Sequence, residues 1–170
     1  MQARISNPAM TVPSAFEALQ AVSTAAGQSD LPHKTIELVN LRASQINGCG
    51  VCLDMHTRGA KKAGETDERL FTVAAWRDSP YFNDAERAAL ALTEAATRLS
   101  DRPDPVSDEV FDEAAKHYDD QALASLIIHI AMINAWNRLN VTTKQVGGEW
   151  TGQYARRAEG SLGSRRSVRP

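Results

Sequence analysis

Residues 122–136 read ALASLIIHIAMINAW, a run that is apolar on nearly every side when wound as a helix. Such a helix has to be covered all round, so it belongs at the centre of a bundle, at a subunit interface, or at both, and both are expected here. On the N-terminal side, DRPDPVS (101–107) is a linker with two prolines. Ser107 after it can cap a helix carrying Val110, Phe111, Ala114, Ala115 and Tyr118. Before the linker, Asn83 and Glu86 have the spacing of a capping box at the head of an Ala- and Leu-rich helix that runs to Leu99. Further back, helices are expected over 14–26, over 32–47 with Pro32 in the first turn and Asn47-Gly48 as the stop, from Cys49 to Gly64, and from Asp67 to about Trp76. No stretch alternates with period two between hairpin turns, and no repeat of fixed period occurs. The expected class is all-α.

The chain has 170 residues, an ordinary apolar content of 42%, and a net charge of −2 with 24% charged residues. One domain with a sizeable core is expected, and no whole-chain basic field points to nucleic acid or an anionic membrane surface. Residues 1–12 read as an N-terminal extension, 13–154 as the helical domain, and 155–170, ARRAEGSLGSRRSVRP, as a flexible arginine-rich tail with too few apolar groups to order itself. No aromatic residues are interleaved there for base stacking, so no nucleic acid partner is expected. The opening residues lack the unbroken apolar core of a signal peptide and no apolar run is expected to be long enough for a membrane span, so the expected location is the cytoplasm. Thiols there are kept reduced, which makes a close cysteine pair more plausible as a redox, catalytic or metal group than as a structural disulfide.

The chain has two cysteines, and both fall in NGCGVCLDMH, residues 47–56. If Gly48 ends one helix and Cys49 begins the next, Cys49 and Cys52 lie in a first turn, where free backbone N–H groups and the helix dipole favour a thiolate. Spacings of three and four then put Cys49, Cys52 and His56 along one face, with His56 available as a proton acceptor for the second sulfur. A thiol activated in this way, with a second cysteine in reach, can cycle through a disulfide. The same set also resembles half of a zinc site, with Glu37 or His129 as distant candidates for a further ligand, and two inert cysteines are the third reading. Glu37, Asn40, Ser44 and Asn47 recur at helical spacing, which on spacing alone reads as a solvated polar stripe. His129 among Leu126, Ile127, Ile128 and Ile130 reads as a hydrogen-bonded core histidine, with a site-lining role as the sharper alternative. Phe71, Trp76, Phe111 and Tyr118 read as core or interface material.

Glu37, Cys49-Gly50-Val51-Cys52 and His56 together resemble the core motif of AhpD-like alkyl hydroperoxidases, in the carboxymuconolactone decarboxylase superfamily. The likeness extends to Ile46-Asn47-Gly48-Cys49, Lys62-Ala63-Gly64, the run Tyr81-Phe82-Asn83-Asp84-Ala85-Glu86-Arg87, and Trp136-Asn137-Arg138, over about residues 30–145. It implies an all-α, AhpD-like bundle that assembles as an obligate homo-oligomer, a trimer or hexamer. It implies a thiol-dependent peroxidase acting on organic hydroperoxides, in antioxidant defence, with no bound cofactor and no metal. By the same resemblance Cys52 attacks the peroxide, Cys49 resolves the sulfenic acid, His56 and Glu37 form the proton relay, and an external dithiol, thioredoxin-like or lipoyl-bearing, reopens the Cys49–Cys52 disulfide. Some relatives carry a histidine where this chain has Val51, which leaves this relay one titratable group shorter and its peroxidase activity weaker. The decarboxylase branch lacks the cysteine pair. Readings kept beside this one are a redox-sensing or interaction module using the same disulfide without turnover, and a decarboxylase-type enzyme.

Overall fold

The computed structural model describes residues 2–148, and the arginine-rich tail lies outside them. The helices are α1 (Pro8–Thr11), α2 (Ala15–Ala26), α3 (His33–Asn47), α4 (Gly50–Lys62), α5 (Asp67–Thr72) continued by a 3-10 turn (Val73–Ala75), α6 (Asp84–Thr97), α7 (Asp108–His117) and α8 (Asp120–Thr142). No strand occurs among the described residues, and the fold is all-α.

Local chemistry sets most of the boundaries. Asn83 Oδ1 accepts from Glu86 N at 2.9 Å while Glu86 Oε2 accepts from Asn83 N at 3.0 Å, completing the capping box at the head of α6. Asp119 caps α8 through Ala122 N at 2.8 Å. Gly48 closes α3 at φ +66°, a left-handed conformation that costs glycine nothing. Three expectations shift. The segment after Asp67 is α-helical only to Thr72. Ser107 occupies the N-cap of α7 without making a side-chain cap bond. The last helix spans 23 residues and runs on past Trp136 to Thr142.

The bundle is organised around α3, which packs on α4, α6 and α8, while α8 packs on α2, α3 and α6. Leu38 and Val39 are fully buried, Leu38 among Leu70, Trp76 and Leu90, and Val39 among Leu92, Leu126 and Ile130. Truncating Leu38 to alanine would cost about 2–5 kcal/mol by the usual cavity effect. One side of α8 is core, whereas Ile127 and Ile128 on its other side are 42% and 39% exposed in the single chain. By length and mean hydropathy α8 would also suffice to cross a membrane, yet its inner face carries buried Asn134, Asn137 and Asn140 and packs into the bundle. Trp76 and Tyr118 belong to the core, while Phe71, at 81% exposure, and Phe111 lie on the outside of the single chain, where α5 and α7 present them outward.

The glutamate–arginine clamp of Glu94 ties α3 and the turn after α5 to α6. Its carboxylate accepts from Arg42 Nε at 2.7 Å, Arg77 Nη1 at 2.7 Å and Trp76 Nε1 at 2.9 Å.

Candidate active site

The left-handed turn at Gly48 does more than end α3. It lets Cys49 N–H donate to Ser44 O at 3.0 Å and sets Cys49 as the N-cap of α4, with its sulfur accepting from Cys52 N at 3.3 Å. The expectation placed Cys49 inside the first turn; it stands one residue outside it, in extended conformation. Both thiols are free and buried, at 1% and 3% exposure.

The two sulfurs are not equivalent. Cys52 is held down at about 6, first by a hydrogen bond from the Cys49 thiol and then, against the opposing effect of burial, by bonds from Asn140 and Asn137 and by the charge of His56. Cys49 is pushed far up, because its proton is engaged on Cys52, it is buried, and a second negative charge beside the Cys52 thiolate is repelled. The pair therefore favours its negative charge on Cys52 and its proton on Cys49. The donors to Cys52 are a neighbouring thiol and side chains from α8, while the backbone N–H of the helix start goes to Cys49. Asn140 Nδ2 lies 3.3 Å from Cys52 Sγ.

Glu37 and His56 meet across the α3–α4 contact, with His56 Nδ1 at 2.8 Å from Glu37 Oε2. An ionised carboxylate only accepts, so Nδ1 carries the hydrogen and Nε2 is the nitrogen left for other partners. Asn40 Nδ2 is 3.4 Å from that same Nδ1, a contact rather than a competitor, since an N–H has no lone pair to offer. The solvated-stripe reading of α3 is overturned: Glu37, Asn40 and Ser44 are 8%, 8% and 0% exposed, and Asn47 donates to both Asn134 and Asn137 at 2.9 Å. The other oxygen of Glu37 is 3.6 Å from Nε2 of the exposed His33. Gly59 makes this carboxylate position possible, because a Cβ there would stand 2.8 Å from Glu37 Oε1.

Cys52 and His56 open onto one cavity of about 260 Å³ between α2, α3, α4 and α8. Its walls are largely apolar, with Ile36, Met55, Met132, Ile133 and the edge-to-face pair Phe16–Trp136, whose rings are 6.0 Å apart. Cys49 is not among its lining residues. His129 is, and the expected hydrogen-bonded core histidine is not what the structure has. Its Nε2 is buried with no hydrogen-bond partner, and burial holds the ring below its ordinary range, so it is neutral. Among the described residues no group of three or more His, Cys, Asp and Glu side chains is placed to hold a metal ion.

The four residues singled out from sequence, Glu37, Cys49, Cys52 and His56, are thus brought together. The site-lining alternative for His129 is the one the structure has, whereas sequence reasoning gave no site role to Asn140, Asn137 or Gly59. The asparagines carry a signal, since Asn134, Asn137 and Asn140 recur every three residues at the end of a largely apolar run.

Residues 13–95 match the family model of the carboxymuconolactone decarboxylase family. An uncharacterised protein of Bacillus subtilis (strain 168), YdfG, is 39% identical over 114 residues, 67% of this chain and 76% of its own length. An uncharacterised protein of Escherichia coli (strain K12), YnjA, is 39% identical over 104 residues, 61% of this chain and 55% of that one, so the chain spans about half of that relative. Among solved structures, a protein of unknown function from Agrobacterium tumefaciens, named as a candidate AhpD antioxidant defence protein, is similar at a TM-score of 0.79 and 33% identity, covering 86% of this chain and 98% of its own.

Proposed function

Since this chain belongs to the carboxymuconolactone decarboxylase family as an AhpD-like member, we propose that it is a thiol-dependent peroxidase that reduces organic hydroperoxides. The observation that carries this reading is the division of labour in the pair: the acidic sulfur, Cys52, faces the cavity, and the protonated sulfur, Cys49, stands behind it.

The Cys52 thiolate attacks the distal peroxide oxygen and breaks the O–O bond, giving a sulfenic acid on Cys52 and an alkoxide that takes a proton from His56 Nε2 and leaves as the alcohol. Glu37 holds the opposite nitrogen and stabilises the imidazolium that donates. The Cys49 sulfur then displaces water from the sulfenic acid and closes the disulfide. An external dithiol, thioredoxin-like or lipoyl-bearing, returns both thiols and is itself oxidised to its disulfide. Apolar walls favour an organic peroxide over hydrogen peroxide, and the unpartnered Nε2 of His129 suits a substrate carrying one further neutral hydrogen-bonding group. The exposed apolar side of α8 is assigned to a homo-oligomer contact, which sedimentation at varied concentration tests.

The test of the activity is intact mass and thiol count of the reduced protein before and after one equivalent of cumene hydroperoxide, followed in time. The expected result is rapid loss of both thiols with a mass decrease of about 2 Da and one equivalent of alcohol. Cys52→Ser should lose the reaction, and Cys49→Ser should stop at the sulfenic acid. Survival of both thiols, or reaction no faster than a free cysteine, overturns the proposal.

A further inference from the structure

Asn7 belongs to no sequence motif and stands outside the cysteine, glutamate and histidine set, yet it is 3% exposed. A side-chain amide has a direction, a donating end and an accepting end, and turning it over exchanges them. At Asn7 the direction is fixed by the backbone: Ala9 N–H donates to Asn7 Oδ1 at 2.9 Å, and a backbone N–H cannot be reversed. With Oδ1 engaged, Asn7 presents Nδ2, which donates to Asn140 Oδ1 at 2.7 Å. Asn140 in turn presents its own Nδ2 to Cys52 Sγ, at 3.3 Å. The first link stays in register with the last because residues around Asn7 are tied to the end of α8. Arg4 N donates to Thr143 O at 2.9 Å and Gln145 Nε2 donates to Ile5 O at 2.9 Å.

We propose that Asn7 is a positioning residue: by fixing the direction of the Asn140 amide it keeps a hydrogen-bond donor, and not an acceptor, against the Cys52 sulfur. Released from Asn7, the Asn140 amide has two orientations of similar intrinsic cost, and one of them sets the Oδ1 lone pairs against the sulfur, where they repel a thiolate. The N-terminal segment would then tune the nucleophile from outside the motif. This rests on the reading of Cys52 as the attacking thiolate, but its measurement needs no peroxide.

The experiment is ultraviolet thiolate absorbance of the reduced full chain against pH, with iodoacetamide labelling and peptide mapping to assign the ionising sulfur. The variants are Asn7→Ala, Asn7→Asp, Asn140→Ala and the two double variants. Asp is as good an N-cap as Asn, so Asn7→Asp keeps the bond from Ala9 N, but a carboxylate only accepts and draws the Asn140 donor away from the sulfur. Both Asn7 variants should raise the Cys52 midpoint from about 6 by about one pH unit, a tenfold loss of acidity. In the Asn140→Ala background neither should move it further. An unchanged midpoint in Asn7→Asp overturns the proposal, as does a shift that persists without Asn140, since that would be a through-space charge or fold effect. If Asn7→Ala does not fold, Asn7→Asp decides. A midpoint that responds in a protein that does not consume hydroperoxide refutes the peroxidase reading and leaves this one standing.

Discussion

Glu37 and Glu94 are both buried carboxylates on the two helices that meet at the middle of the bundle, and their partners give them opposite roles. Glu94 is surrounded by groups that keep their protons. Burial alone would raise its pKa, but the donors Trp76, Arg77 and Arg42 outweigh it and hold the group below its ordinary value. A guanidinium does not titrate in any relevant range, so this carboxylate is fixed as a structural charge. Glu37 faces imidazoles only, His56 at 2.8 Å and His33 at 3.6 Å, and an imidazole, unlike a guanidinium, can give its proton up. The same residue type is a clamp in one place and, on the proposed mechanism, half of a proton relay in the other, and what separates them is whether the partner can give its proton up.

The sharpest test of that contrast is on the clamp. Glu94→Ala leaves Arg42 buried without its anion and should destabilise the fold by about 3–5 kcal/mol in denaturant unfolding, with the Cys52 midpoint unmoved. Acid should reproduce part of the effect. A carboxylate whose folded pKa lies below its unfolded one stabilises fully above the unfolded value, near 4.5, and this contribution is lost as the pH falls through the depressed one. In the variant, the acid-side loss of stability below about pH 4.5 should be shallower. If stability barely changes, Glu94 is not a clamp.

Glu37→Gln should do the reverse: hydroperoxide reduction slowed by about a hundredfold, with stability within about 1 kcal/mol. A large stability loss with normal turnover would exchange the roles of the two carboxylates. Gly59→Ala is subtler. The added methyl must displace the Glu37 carboxylate, and a reduction of about tenfold in stopped-flow oxidation is expected while Cys52 acidity stays put. The smallest effect should come from His129→Leu. For a hydroperoxide bearing a hydroxyl, kcat/KM should fall by about three- to tenfold, and for a plain hydrocarbon hydroperoxide it should not. Equal losses on both would make His129 a packing residue.

The helices and the motif were legible because they rest on local rules. The Asn83–Glu86 box, the stop at Gly48 and the spacing of Cys49, Cys52 and His56 all act within one or two turns, and each is where its residues put it. What was illegible has distant partners. The Asn7–Asn140 bond joins residues 133 apart, and Asn140 reaches Cys52 across 88. Gly59 lies inside α4 with no local signal, and the reason for it is the Glu37 carboxylate that packs against it from α3. Hydrophobicity pointed to the centre of the bundle only for α8, which packs on α2, α3 and α6, and gave no sign that α3, with its polar stripe, shares that place.

By itself, then, the sequence determined an all-helical chain and one helix start furnished with two thiols and an imidazole, because hydrogen bonds and side-chain contacts three or four residues apart follow from helical geometry alone. Tertiary structure decided which sulfur is the more acidic, which carboxylate is paired with imidazoles and which with guanidinium groups, and that His56 and His129 both face the cavity. Those are differences in electrostatic environment, and in a buried site the environment of each group is made by side chains that only packing brings within a few ångströms.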